Sequence, residues 1–344
     1  MQGFKKISNM FNENLYKIKY HNLDLSNYSY LITGGAGFIG SNLAEYLLKF
    51  GAKHVRVLDN LSNGYHSNIN KFTNFKNFEF IEGDIRDYET CKNAIQGIDF
   101  VSHQAALGSV PRSIENPIIT NDVNVNGFLN MLYVCKNSNE IKKFVYAASS
   151  STYGDSVSLP KIEGKEGSPI SPYAVTKLVN ELYANVFSNV YNYNSIGLRY
   201  FNVFGPKQNP NNPYAAVIPI FCKAYLNSDE IIVNGDGETS RDFTFVENVI
   251  QANIKSFEKD LLKSEVYNVA CGSKISLNEI INILSLISKK TISLKYSKQR
   301  IGDIKHSIAS IDKIQSELNY VPYFNFRTGI EIVYDWYKLN LNSW

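Results

Sequence analysis

The stretch Tyr28-Ser-Tyr-Leu-Ile-Thr33-Gly34-Gly35-Ala36-Gly37-Phe38-Ile39-Gly40 decides how this chain folds. A short apolar run, Tyr28 to Ile32, meets glycines at 34, 37 and 40. Ser41 to Phe50 follows, with Leu43, Leu47 and Leu48 at helical spacing. Strand, glycine turn and helix in that order let the backbone approach a pyrophosphate seated on the helix N-terminus. The next apolar run, His54 to Leu58, ends in Asp59, which is 19 residues past Gly40. A carboxylate there accepts hydrogen bonds from a ribose diol and repels a 2′-phosphate, so NAD is favoured over NADP.

The alternation continues outward. Runs at 28–33, 54–58, 78–82, 98–103, 142–148 and 195–201 read as strands, and helices are predicted near 38–50, 87–96, 117–137 and 172–191. Nearly continuous apolar strands alternating with helices predict a parallel sheet covered on both faces. Beyond Gly205 the alternation breaks. Pro206 to Pro213 reads as a loop, and shorter elements follow, with a strand at Val266–Ala270 and a helix near 276–288. Residues 1–27 are polar and Asn-rich, an added helix or arm. Ligands of such sheets gather at the carboxyl ends of strands. Polar clusters stand at four of those ends: Gly83-Asp84-Ile85, Gln104 to Ser109, Ser149 to Gly154, and Asn202.

Tyr173 and Lys177, in Ser171-Pro-Tyr-Ala-Val-Thr-Lys177, lie on one face of a helix. A nearby ammonium lowers the pKa of a phenol. A phenol tuned towards neutral pH takes the proton of an alcohol while a hydride leaves the same carbon. By itself the spacing also fits an exposed surface pair. With a dinucleotide turn upstream, it reads as acid–base machinery.

Composition sets the bounds. The chain has 344 residues, 44% hydrophobic and 19% charged, with a formal net charge of +3. These values suit a globular protein with a full core and give no electrostatic case for nucleic acid or anionic membrane. The 4 cysteines form no C-x-x-C and read as reduced packing residues of a cytoplasmic protein. No run approaches transmembrane length and no signal-peptide core is present. The 5 histidines lack metal spacing. His103 ends an apolar run and packs near the cofactor site.

These residues resemble the extended short-chain dehydrogenase/reductase family, and more narrowly its nucleotide-sugar 4-epimerases. The motifs are Gly34 to Gly40, Asp59-Asn60, Gly83 to Ile85, Ser149 to Gly154, Tyr173 to Lys177, Leu198 to Gly205, and Gly235 to Phe243. The stretch Gln104 to Ser113 and the triple serine before Thr152 are similar to bacterial UDP-N-acetylglucosamine 4-epimerases of the O-antigen and surface-polysaccharide type. The resemblance implies an α/β fold, a Rossmann-type doubly wound parallel sheet with a smaller C-terminal α/β substrate-binding domain. It implies an N-terminal arm at 1–27, an NAD-binding domain at 28–204 returning near 243–275, and a UDP-sugar-binding domain at 205–242 and 276–344.

Its implications for the site are specific. Tyr173 is the base, Lys177 lowers its pKa, and Ser149 or Ser150 holds the sugar 4-oxygen. NAD contacts fall on Gly34, Gly37, Phe38, Ile39, Gly40, Asp59, Asn60, Ser62, Gly64, Asp84, Ile85, Gln104, Ala105, Tyr200 and Val203, with Tyr173 and Lys177. The UDP-sugar falls on Gly108, Ser109, Asn202, Val217, Arg241, Arg300, Asp303 and Ser307. A serine at 307, where relatives with tyrosine exclude an N-acetyl group, implies UDP-N-acetylhexosamines, in neutral or uronic acid form. The reaction implied passes through a 4-keto sugar with NAD held throughout, in a homodimer built on the helices near 117–137 and 172–191. Rival readings are a 4,6-dehydratase, which usually carries Asp-Glu where this chain has Ser150-Ser151, a decarboxylase, and a non-catalytic NAD sensor.

Overall fold

The computed structural model describes residues 15–212, 214–298 and 305–341. Ser29–Thr33 (β1) runs into Gly34 at φ +67°, and the helix Phe38–Lys49 (α1) starts within four residues. The other main strands are His54–Asp59 (β2), Phe78–Glu82 (β3), Phe100–His103 (β4), Lys143–Ser149 (β5), Ser195–Tyr200 (β6) and Glu265–Val269 (β7). Every neighbouring pair is parallel, and the spatial order is β7-β6-β5-β4-β1-β2-β3. The chain reverses direction across the sheet between β1 and β4, the point at which such sheets bind ligands.

Three longer helices complete the cover: Phe128–Lys136 (α2), Pro172–Tyr191 (α3) and Val246–Glu258 (α4). Side chains of β1 alternate between faces, as a strand's period of two requires. Tyr30 and Ile32 join Leu43 and Leu47 of α1 and Val249 and Ile250 of α4, whereas Leu31 joins Phe128 and Met131 of α2. Each such fully buried aliphatic contributes about 1.5–3 kcal/mol. The doubly wound α/β sheet expected from the sequence is therefore present.

Three expectations need correction. The region 117–137 is not one helix. It is Pro117–Asn121, a π-helical turn at Asp122–Gly127, and then α2. The wider turn brings Asn124 inward, where it accepts from Leu107 N at 2.8 Å and donates to Leu107 O and Thr176 Oγ1, each at 3.1 Å. A π turn of this kind is common beside a site. Second, the elements beyond Gly205 are not short. Val217–Asn227, α4 and Phe326–Asn340 have 11, 13 and 15 residues. Third, of the helix or arm expected at the N-terminus, the helix is absent from residues 15–24, which run as an arm. Tyr20 stacks on Tyr46 of α1 at 5.5 Å, its backbone N–H donates to the Tyr46 hydroxyl at 2.7 Å, and its own hydroxyl donates to Glu247 of α4 at 2.9 Å. The arm thus staples α1 to α4.

The smaller region pairs Ile231–Asn234 with Leu294–Ser297 in parallel and Ser240–Arg241 with Ile275–Ser276 antiparallel. Its helix Leu277–Ser288 opens with a capping box between Ser276 and Glu279. All four cysteines are unpaired. Among the described residues no helix is long and apolar enough to cross a membrane.

Candidate active site

A cavity of ≈ 410 Å³ opens at the carboxyl ends of the strands. All the residues that the sequence reading gave to the dinucleotide line it: Gly34, Gly37, Phe38, Ile39 and Gly40 at the turn; Asp59, Asn60, Ser62, Gly64, Asp84 and Ile85 at one end; Gln104, Ala105, Tyr173, Lys177, Tyr200 and Val203 at the other. Gly108 and Ser149 join them. A Cβ on Gly34 would lie 2.7 Å from the Ala105 backbone, and one on Gly40 would lie 2.4 Å from the Gly34 carbonyl. Glycine is thus required at both. Gly37 caps α1 without a side-chain hydrogen bond, which leaves the first-turn N–H groups to an anion. This cradle fits the pyrophosphate of a dinucleotide.

Asp59 is buried and accepts from Ala36 N at 3.0 Å and Leu61 N at 2.8 Å. Burial raises its pKa against those two bonds. Asp84 carries a larger load than the sequence reading gave it. Its carboxylate takes the Arg86 fork and the Asn60 amide, and the Arg86 bonds, foremost, hold it at about 2. The Asp84 carboxylate at this end of the cavity is therefore already engaged.

At the other end Ser149 closes β5. Its Oγ accepts from Ser151 N at 3.1 Å and Ser151 Oγ at 2.9 Å, and the hydroxyl lowers the pKa of the neighbouring Tyr173 phenol. The expected tuning of Tyr173 is corrected here. Burial raises its pKa, and the lowering influence is Ser149 rather than Lys177. Lys177 Nζ donates to Ala147 O at 2.7 Å and stands 6.0 Å from the Tyr173 ring centroid. Burial brings Lys177 down to about 8. His103 is buried, shares a 2.9 Å hydrogen bond with Thr33 Oγ1, and is driven to about 3 by burial and then by Lys177, so it is neutral. Beneath Tyr200, Asn253 of α4 donates to the phenol at 2.9 Å. Asn253 escaped the sequence reading because α4 did.

A second cavity of ≈ 320 Å³ meets the first at Val203. Asn202, Val217 and Arg241 line it, together with Phe243, the last residue of the Gly235–Phe243 motif, and with Phe221 and Ile232, for which no sequence motif gave a signal. Arg241 Nη1 donates to Ser240 O at 3.0 Å and Lys305 O at 3.4 Å. Asn202, at φ +35°, donates to Asp242 O at 3.0 Å, which is a structural bond rather than a ligand contact. Ser109, Ser150 and Ser307 do not line either cavity. Ser109 caps Val110–Glu115 at φ +97°, Ser150 opens a 3₁₀ turn, and Ser307 N donates to Ser240 O at 3.1 Å. Arg300 and Asp303 lie outside the described residues.

The segment 206–212 is fastened to the start of α1 and to Tyr65. Lys207 Nζ donates to Ser41 O at 3.1 Å, and Asn42 Nδ2 to Pro206 O at 3.1 Å. Asn209 Nδ2 donates to the Tyr65 hydroxyl at 2.6 Å. Further along, the Tyr214 hydroxyl meets Glu115, and the Arg112 guanidinium lies 5.0 Å from the Tyr214 ring centroid.

Residues 30–270 match the model of the NAD dependent epimerase/dehydratase family. The chain belongs to that family. It is 35% identical over 316 residues to a putative UDP-glucose 4-epimerase of Methanocaldococcus jannaschii, covering 90% of this chain and 98% of the relative. A UDP-N-acetylglucosamine 4-epimerase from Methanobrevibacter ruminantium, solved with UDP-N-acetylmuramic acid, aligns with TM-score 0.85 at 39% identity, covering 90% and 98%. A UDP-glucuronic acid 4-epimerase from Bacillus cereus, solved with its substrate and NAD, aligns with TM-score 0.84 at 31% identity, covering 90% and 99%.

Proposed function

We propose that the protein is a UDP-N-acetylhexosamine 4-epimerase that works on the neutral sugar or its uronic acid. The observation that carries this reading is the Ser149–Tyr173–Lys177 cluster lining a dinucleotide cavity that shares Val203 with a second cavity bearing Arg241. NAD, when bound, supplies the acceptor for hydride from C4 and then returns it. Tyr173 takes the proton of the sugar 4-hydroxyl and later gives it back. Ser149 hydrogen-bonds the 4-oxygen, and Ser151 fixes Ser149 for that task. Lys177, with Nζ held at Ala147 O, would hold the cofactor ribose and stabilise the phenolate by its charge. Arg241 grips the diphosphate as a fork. With the anchor tight and the hexose loosely held, the 4-keto sugar turns its other face to the same base.

Several features support the finer points. Ser150-Ser151 stand where dehydratases usually carry acids, so β-elimination lacks its catalysts. Preference for an N-acetyl group at C2 rests on the resemblance at Ser307, a residue that lines neither cavity. The region 205–242 and 276–344 bears the UDP contacts. An exposed apolar stripe on α3, at Val175, Leu182, Val186 and Val190, beside exposed Ile118 and Ile119, fits a homodimer. A cytoplasmic location agrees with unpaired cysteines.

The test is NMR of the product from NAD-loaded protein given UDP-GlcNAc, and separately its uronic acid, with no added acceptor. An axial C4 hydroxyl is the expected result. Loss of water points to a dehydratase, and an unchanged substrate in both arms rejects the reading.

A further inference from the structure

Behind Lys177 the structure lays four charges in a row. Glu181 follows one turn later on α3 and is 9% exposed. Arg199 of β6 donates Nε to Glu181 Oε1 at 2.9 Å and Nη2 to Oε2 at 2.6 Å. Its Nη1 meets Glu166, and its guanidinium lies 4.8 Å from the Tyr153 ring centroid. The signs alternate along Lys177, Glu181, Arg199 and Glu166. Both cations are pinned to one stretch of β5: Lys177 Nζ is bonded to Ala147 O, and Arg199 is in register with Ala148.

The charge count is the argument. One guanidinium stands between two carboxylates, so that group has an excess negative charge. Lys177, one helical turn before Glu181 and buried like it, is placed to balance it, whereas Lys313 at the outer side of the group is paired with Glu265. The other groups around the lysine are Tyr173 on its own helix, neutral His103 of β4, and Tyr146 of β5, whose buried hydroxyl lies near Glu181. None is anionic. An uncompensated charge this deep is costly, so the row is stable only when Lys177 is protonated.

We propose that Glu181 is a positioning residue for the reaction: clamped by Arg199, its carboxylate supplies the negative charge that keeps Lys177 an ammonium beside Tyr173. The proposal rests on the assignment of Tyr173 and Lys177 as the acid–base pair. Burial pulls Lys177 down and Glu181 opposes it, in keeping with this geometry.

The test is the ¹³Cε-lysine NMR titration of Lys177 in NAD-loaded protein, without any sugar nucleotide. In Glu181→Gln the midpoint falls by about one pH unit or more, within the range that a neighbouring opposite charge produces. Glu181→Asp stays near the wild-type midpoint. The alkaline limb of kcat moves down with the midpoint, while UDP affinity is unchanged. Should Glu181→Gln fail to fold around Arg199, the double variant Glu181→Gln/Arg199→Gln removes both buried charges and shows a smaller fall, because losing the more distant Arg199 cation partly offsets losing the Glu181 carboxylate. An unmoved midpoint in either variant overturns the proposal, even if the wild type epimerises. A fall in midpoint sustains it, even in a protein that turns over none of the sugars offered.

Discussion

Tyr173 is surrounded by groups that act on its proton in opposite directions. Burial holds the proton on, the Ser149 hydroxyl eases it off, and Lys177 waits with its charge bonded to Ala147 O. This arrangement stores a base that becomes active only once ligands are seated. Removing the phenol oxygen should therefore lower kcat roughly 10²- to 10⁴-fold while the cofactor stays. Turnover and NAD released from denatured Tyr173→Phe protein check this. Near-normal turnover with full NAD content would end the assignment. The pH profile is signed by Lys177. Its folded pKa, about 8, lies below the ordinary lysine value. The ammonium is present below that value and lost above it, so kcat should decline as pH rises through about 8. A kcat that is flat to pH 9.5 contradicts this.

At the scale of elements, α3 does two things with two faces. Ala174, Lys177, Asn180 and Glu181 face inward, whereas Leu182, Val186 and Val190 are 55%, 49% and 65% exposed. In the homodimer proposed above, that stripe at helical spacing is the docking face. The variant Leu182→Asp/Val186→Asp should halve the mass seen by light scattering with the helix content unchanged. An unaltered mass rejects the dimer on this face. The strands and α3 were legible in the sequence because apolar runs and a Ser-Pro cap mark them. The α4 helix was not. Asn248, Gln251 and Asn253 make it look like a polar loop, yet all three are buried and bonded to Phe324 and to the Val321 and Tyr200 positions. Nor was the π turn, whose cause is contact with Leu107 and Thr176 far along the chain. The glycine turn was legible because its chemistry is local. The Ser149–Tyr173 bond and the two joined cavities depend on tertiary packing, which spacing does not report.

Over the whole molecule, the arm at 15–24 ties α1 to α4 through Glu247. Burial raises this carboxyl from 4.5 to about 7, with the Tyr20 hydroxyl opposing. The sign follows. A raised acid costs nothing extra below its unfolded pKa, and its penalty is complete above the folded one. Between pH 8 and pH 5 wild type should gain up to roughly 3 kcal/mol on Glu247→Gln, at about 1.4 kcal/mol per unit. Denaturant titrations at the two pH values measure the gap. A gap that does not change removes Glu247 from the stability ledger.

The bonds from the segment 206–212 to Ser41, Asn42 and Tyr65 have a kinetic consequence. Gly40 and Gly64, which line the dinucleotide cavity, are the chain neighbours of Ser41 and Tyr65, so the segment braces two walls of that cavity from outside. Loosening the brace should shorten the stay of a seated nucleotide. Isotopically labelled NAD added to the purified protein should exchange slowly, and markedly faster in Tyr65→Phe. Equal exchange rates in the two proteins would show that this belt does not govern the cofactor's departure.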